Sequence, residues 1–77
     1  DDARVFIEAA RTGSLNRAAL RLGIDAATVG RRVSRLETVL KATLLIRSAT
    51  GLELTSAGQE FLSAVTQAEK AMGIAAD

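Results

Sequence analysis

Cysteine, histidine, proline, tryptophan and tyrosine are all absent from this 77-residue chain, and phenylalanine occurs only twice. Without cysteine there is no disulfide and no thiolate nucleophile, and without histidine the commonest general base and zinc ligand is missing. The carboxylates form no recognisable pair, so no enzyme activity, metal or other cofactor is expected. The lack of disulfides agrees with a reducing cytoplasm, where the chain is expected to reside. With so few aromatics the core must be built from Leu, Val, Ile and Ala, a set that suits closely packed helices. No apolar run approaches the ~18 residues of a membrane span. The amino end opens Asp1-Asp2, where a signal segment would be basic and then apolar. No membrane partner is therefore expected. The chain lacks an initiator methionine and stops at Ala75-Ala76-Asp77 within a helical pattern, which reads as a piece of a longer protein. A domain this small buries only about 60% of its unfolded surface, so a partner subunit would strengthen a marginal core.

Arginine, by contrast, is plentiful and unevenly placed. The formal net charge is only +1. Residues 11–47 nevertheless hold eight basic groups (Arg11, Arg17, Arg21, Arg31, Arg32, Arg35, Lys41 and Arg47) against Asp25 and Glu37, a local charge of +6, while the flanks together carry −5. Such a segment concentrates positive potential on one part of a nearly neutral domain, and a polyanion is its natural partner. The plainer alternative is a solvated, charge-laced helical surface.

The segment from Ser14 to Glu37 encodes two capped helices around a glycine turn. Ser14 is an N-cap for a helix over 15–22, Gly23 supplies the left-handed stop, and Asp25 caps a second helix over about 26–40. Ala18 and Ala19 are small where the two helices must cross. Val29, Val33, Leu36 and Leu40 form one apolar stripe, and Arg31, Arg32 and Arg35 fall off it. A helix buried on one side and armed with guanidinium groups on the other suits the DNA major groove. Before this motif, a helix over about 2–11 should turn Val5, Phe6, Ala9 and Ala10 inward, with Asp1 and Asp2 near its positive end. After it, the runs 43–47 and 52–54 are strand-like and separated by Ser48-Ala-Thr-Gly51, which predicts a two-stranded wing with Gly51 in its turn. So short a ribbon must lean on the helices through Leu44 and Leu54. Thr55 or Ser56 then caps a fourth helix from about Ala57 to beyond Ala71. Along it Phe61, Val65, Ala68 and Met72 recur at coiled-coil steps with Leu62 beside them, either a seam for a second subunit or a stripe covering the first three helices.

Four separated motifs occur in order along the chain: Val5-Phe-Ile-Glu-Ala-Ala-Arg-Thr-Gly-Ser-Leu-Asn-Arg-Ala-Ala-Leu-Arg-Leu-Gly-Ile24, Arg35-Leu-Glu37, Leu44-Leu-Ile-Arg47 and Leu54-Thr-Ser-Ala-Gly58. In them the chain resembles the N-terminal DNA-binding domain of LysR-type transcriptional regulators, over nearly its full length. The resemblance implies a mainly α winged helix-turn-helix, with a three-helix core and a two-stranded wing over residues 1–55, followed by a long linker helix over 56–77. It implies duplex DNA as partner, and a homodimer formed by antiparallel pairing of the linker helix through Phe61, Leu62, Val65, Ala68 and Met72. A small-molecule inducer would act only through an effector domain absent from this chain. A helical protein-interaction module of winged-helix shape is the alternative.

On this reading DNA meets Ala26, Ala27, Thr28, Gly30, Arg31, Arg32, Ser34 and Arg35 of the third helix. Arg31, in its N-terminal half, is the first choice for base readout, because an arginine donates two hydrogen bonds to guanine O6 and N7. Arg32 and Arg35 grip phosphate or pair with an acid such as Glu37. Thr28 touches a thymine methyl or a phosphate, or simply packs. Asn16 and Arg17, at the amino end of the second helix, seat a phosphate. Arg21 is a general electrostatic contributor or a surface residue. In the wing, Arg47 is a phosphate ligand or an ion-pair partner, and Ser48 and Thr50 offer hydroxyls to the backbone. The chain departs from the family where it has Asp25-Ala-Ala-Thr-Val-Gly30. Ala26 stands where the resemblance places an amide and Gly30 where it places a serine, so two direct contacts are missing and no target preference is inherited.

Overall fold

Each helix begins where a short polar side chain takes over a backbone donor that the helix leaves unpaired. In the computed structural model, which describes residues 1–74, the order is α1 (Asp2–Thr12), α2 (Leu15–Leu22), α3 (Ala26–Leu40), β1 (Leu45–Ser48), β2 (Gly51–Leu54) and α4 (Ser56–Ala71). The N-caps are Asp1, Ser14, Asp25 and Thr55, whose side chains accept from the amides of Arg4, Arg17, Thr28 and Gly58 at 2.8, 3.2, 2.7 and 2.9 Å. Gly13 and Gly23 close α1 and α2 in the left-handed conformation. At the end of α3 that conformation falls to Lys41, with φ of 56° and no glycine to ease it.

The core lies where α1, α2 and α3 meet. Val5, Phe6, Ile7 and Ala9 from α1, Ala18 and Ala19 from α2, Val29 and Val33 from α3, and Leu44 are buried. Ile7 was not among the expected inward residues, and Ala10 is only half-buried. The α3 stripe holds through the half-buried Leu36 but fails at Leu40, which is 41% exposed. A helix of 15 residues outruns its 8-residue partner α2, so its last turn has less to pack against. The first half of α4 completes the core, with Phe61 meeting Phe6 edge to face at 5.5 Å and with Leu62 and Val65 packed on the cluster.

The wing departs from the sequence expectation in two ways. Strand β1 starts later, at Leu45, and Ser48 pairs with Gly51, so the turn contracts to Ala49 and Thr50. Gly51 therefore belongs to a strand. Its φ is 129°, and a Cβ there would stand 2.7 Å from the Gly13 carbonyl oxygen. That close approach lets the neighbouring Leu52 N–H donate to Gly13 at 3.0 Å, which pins β2 to the turn between α1 and α2. Leu44 and the half-buried Leu54 anchor the other end of the ribbon as expected. Helix α4 stops at Ala71 with Met72 as its C-cap, short of the expected extension; positions 75–77 of the expected linker lie outside the described residues.

Candidate nucleic-acid interface

Two short-range capping events set the orientation of the basic face. With Ser14 and Asp25 fixing where α2 and α3 begin, and with Val29 and Val33 turned inward, the 3.6-residue period leaves Ala27, Arg31, Ser34 and Arg35 exposed. Asp25 accepts from the Thr28 amide, and that bond, with the Thr28 hydroxyl, holds its carboxyl below the ordinary value of 3.8. The Arg35 hydrogen bond does the same for Asp2. Stability from both groups is thus complete above pH ~4 and is lost as the pH falls through their lowered values.

The amino end of α2, the outer face of α3 and the wing enclose one open cleft of about 1500 Å³. A drug-sized ligand fills about 300–1,000 Å³ and is largely enclosed, so this cleft is better matched to the surface of a polymer. All twelve residues expected on DNA line it: Asn16, Arg17, Ala26, Ala27, Thr28, Gly30, Arg31, Arg32, Ser34, Arg35, Arg47 and Thr50. Five of the lining residues are arginines and none is Asp or Glu. Sequence reasoning missed Thr12 and Thr38, which also line the cleft. Thr38 was within reach of helical periodicity, lying four residues after Ser34, whereas Thr12 enters only because β2 docks beside it.

The arginines are not equivalent. Arg31 Nη2 donates to the Thr28 hydroxyl at 3.0 Å, which orients the guanidinium along the exposed face of α3. Arg35 pairs with Asp2 from α1, and not with Glu37. Glu37 instead accepts from the amides of Leu44 and Leu45 at 2.7 and 3.2 Å, joining α3 to the start of the wing. Arg21 pairs with Glu8 at 2.7 Å and lies outside the cleft. Among the described residues, Arg17, Arg31, Arg32 and Arg47 have no carboxylate within salt-bridge distance. The expected contacts Ala26 and Gly30 are half-buried; a Cβ on Gly30 would meet only Leu15 Cδ1, at 3.9 Å, so packing does not require glycine there. Of the expected subunit seam, Phe61, Leu62 and Val65 pack on this chain's own core, while Ala68 and Met72 are exposed.

Three helices, a two-stranded wing and a basic cleft between recognition helix and wing define a winged helix-turn-helix domain. The chain belongs to the lysR family of bacterial regulatory helix-turn-helix proteins, whose family model matches residues 1–59. It is 47% identical over 58 residues to the probable HTH-type transcriptional regulator SinR of Salmonella typhimurium, which covers 75% of this chain and 18% of that protein. To the HTH-type transcriptional activator TtdR of Escherichia coli K12 it is 45% identical over 58 residues, 75% of this chain and 19% of the relative. The chain thus spans about a fifth of these relatives. Among solved structures, the crystal structure of the CbnR_DBD-DNA complex superposes with a TM-score of 0.83 at 35% identity, covering 94% of this chain and 83% of that one.

Proposed function

We propose that this chain is the duplex-DNA-binding part of a bacterial transcription regulator and has no catalytic role. The observation that carries the reading is the cleft, where residues from three separate elements bring five arginines and no carboxylate onto one face. Helix α3 enters the major groove, Arg31 reads a base, and Arg17, Asn16, Arg32, Arg35 and Arg47 hold phosphates while Thr50 brings the wing tip to the backbone. Ala26, Ala27, Gly30 and Ser34 make van der Waals contact only, or bond through one hydroxyl, so the site reads few bases directly. The regulator acts in the cytoplasm, a reading supported by the absence of cysteine; no described helix is long and apolar enough to cross a membrane. Any inducer acts through a part of the protein outside this chain.

The test compares a duplex selected from a random pool with random duplex. Arg31→Ala is expected to weaken the selected site by about 1–3 kcal/mol more than random DNA. Arg17→Ala should weaken both alike, because phosphates carry no sequence. Equal losses for Arg31→Ala would make it a backbone contact, and a chain that retains no duplex in a filter-binding assay would refute the function.

Residues 1–55 form the DNA-binding unit and take the first half of α4 into their core, while the rest of 56–77 links subunits. A second copy packs against Ala68 and Met72, continuing the seam from Val65. Ala68→Glu places like charges across that seam without touching the core. Sedimentation is expected to show it shifted to monomer at unchanged helix content; an unmodified chain that stays monomeric at ~100 μM would move dimerisation elsewhere, since modest interfaces assemble in the micromolar range, about −8 kcal/mol.

A further inference from the structure

Arg35 is held differently from the other four arginines of the cleft. Its Nε and Nη2 donate to the two carboxylate oxygens of Asp2, each at 2.7 Å, a side-on fork across the α1–α3 contact. A guanidinium has a second edge with two parallel donors, at Nη1 and Nη2, and the fork leaves that end-on edge unused. The Arg35 side chain is 64% exposed and lines the cleft, whereas Asp2, 21% exposed, stands outside it. The carboxylate therefore grips the arginine from behind. The pair sustains itself electrostatically, since the bond to Arg35 holds the Asp2 carboxyl below its usual range, Arg32 adds to that field, and Asp2 in turn raises Arg35.

An unheld arginine gives up its rotamer freedom when it binds, whereas Arg35 has already lost much of that freedom on folding. We propose that Asp2 is a positioning residue for DNA binding: it holds Arg35 by the side-on edge so that the end-on pair of donors meets the two free oxygens of one DNA phosphate. The inference rests on the duplex-DNA reading above. Phosphate, and not a base, is the acceptor because Arg35 lies in the third turn of α3, beyond the N-terminal half that meets base edges. The competing role for the same fork is occlusion, with Asp2 keeping Arg35 off DNA.

A mutant cycle in the full chain separates the two, using the unmodified protein, Asp2→Asn, Arg35→Ala and the double variant against one duplex over a salt series. Arg35→Ala should make the slope of log K against log salt shallower by about 0.9, the share of one phosphate. Asp2→Asn removes a negative charge near a polyanion, so in the Arg35→Ala background it should strengthen binding. With Arg35 present that gain should shrink by about threefold to tenfold, or reverse, because the arginine is no longer held. Asp2→Glu, which can rebuild the fork, should recover part of the loss. Circular dichroism confirms folding of each variant, since a merely structural role for the pair would change helix content and leave the slope intact. An unchanged slope in Arg35→Ala overturns the inference, as does a larger gain from Asp2→Asn with Arg35 present, the signature of occlusion. If the unmodified chain binds no duplex, the DNA reading falls first; if it binds and only the cycle fails, only the role of Asp2 falls.

Discussion

Gly58→Ala is expected to cost about 3 kcal/mol or more of folding stability, although alanine ordinarily favours a helix over glycine by about 1 kcal/mol. Gly58 is buried in the first turn of α4, where the helix presses onto Leu44 in the segment between α3 and β1. A methyl group there would overlap the Leu44 carbonyl oxygen and stand 3.0 Å from both the Leu44 carbonyl carbon and Leu54 Cδ2. Backbone cannot rotate away as a side chain can. Helix α4 would have to withdraw, breaking the Thr55 N–H bond to Leu44 at 3.0 Å and pulling Phe61 off Phe6. For a domain of this size the midpoint of thermal unfolding should fall by about 12–24 °C. Gly30→Ala is the control with opposite sign: a Cβ there makes only ordinary van der Waals contact with Leu15 Cδ1 at 3.9 Å, so helix propensity decides and a gain of about 0.5–1 kcal/mol is expected. Thermal melts followed by circular dichroism read both, and a Gly58→Ala variant as stable as its parent would disprove the close approach of α4.

Affinity for duplex DNA is expected to fall by about 150-fold between about 50 and 200 mM salt. Of the five arginines that line the cleft, four are assigned to phosphates and Arg31 to a base, and each neutralised phosphate contributes roughly −0.9 to the slope of log K against log salt, which gives a slope of about −3.6 per subunit. Arg21 adds nothing to that slope, because it is bound to Glu8 outside the cleft, so Arg21→Ala should leave it unchanged. The measurement is a set of binding isotherms at four or five salt concentrations. A flat response would remove the electrostatic basis of the interface; a shallower slope in Arg21→Ala would place that side chain on DNA after all.

What the sequence determined by itself is the set of features decided within a few residues. The bounds of α2 and α3, the caps Ser14 and Asp25 and the stop at Gly23 were legible because each depends on a side chain bonding an amide three residues on, or on one residue's own φ. The outward face of α3 was legible too, since the helical period fixes it once Val29 and Val33 are buried. The left-handed Lys41 escaped, because no local rule marks lysine as a stop; the helix ends there where Glu37 turns to hold the start of the wing. Only the tertiary structure decided which charge meets which. Arg35 was open to Glu37, two residues away, yet pairs with Asp2, 33 residues away, because the packing of α1 on α3 brings that carboxylate across while Glu37 serves Leu44 and Leu45. Gly51 and Gly58 are glycines for the same kind of reason: the constraint is a carbonyl oxygen from a distant segment, Gly13 in one case and Leu44 in the other. The cleft itself belongs to this class, since α2, α3 and the wing acquire a common face only when the core fixes their relative positions.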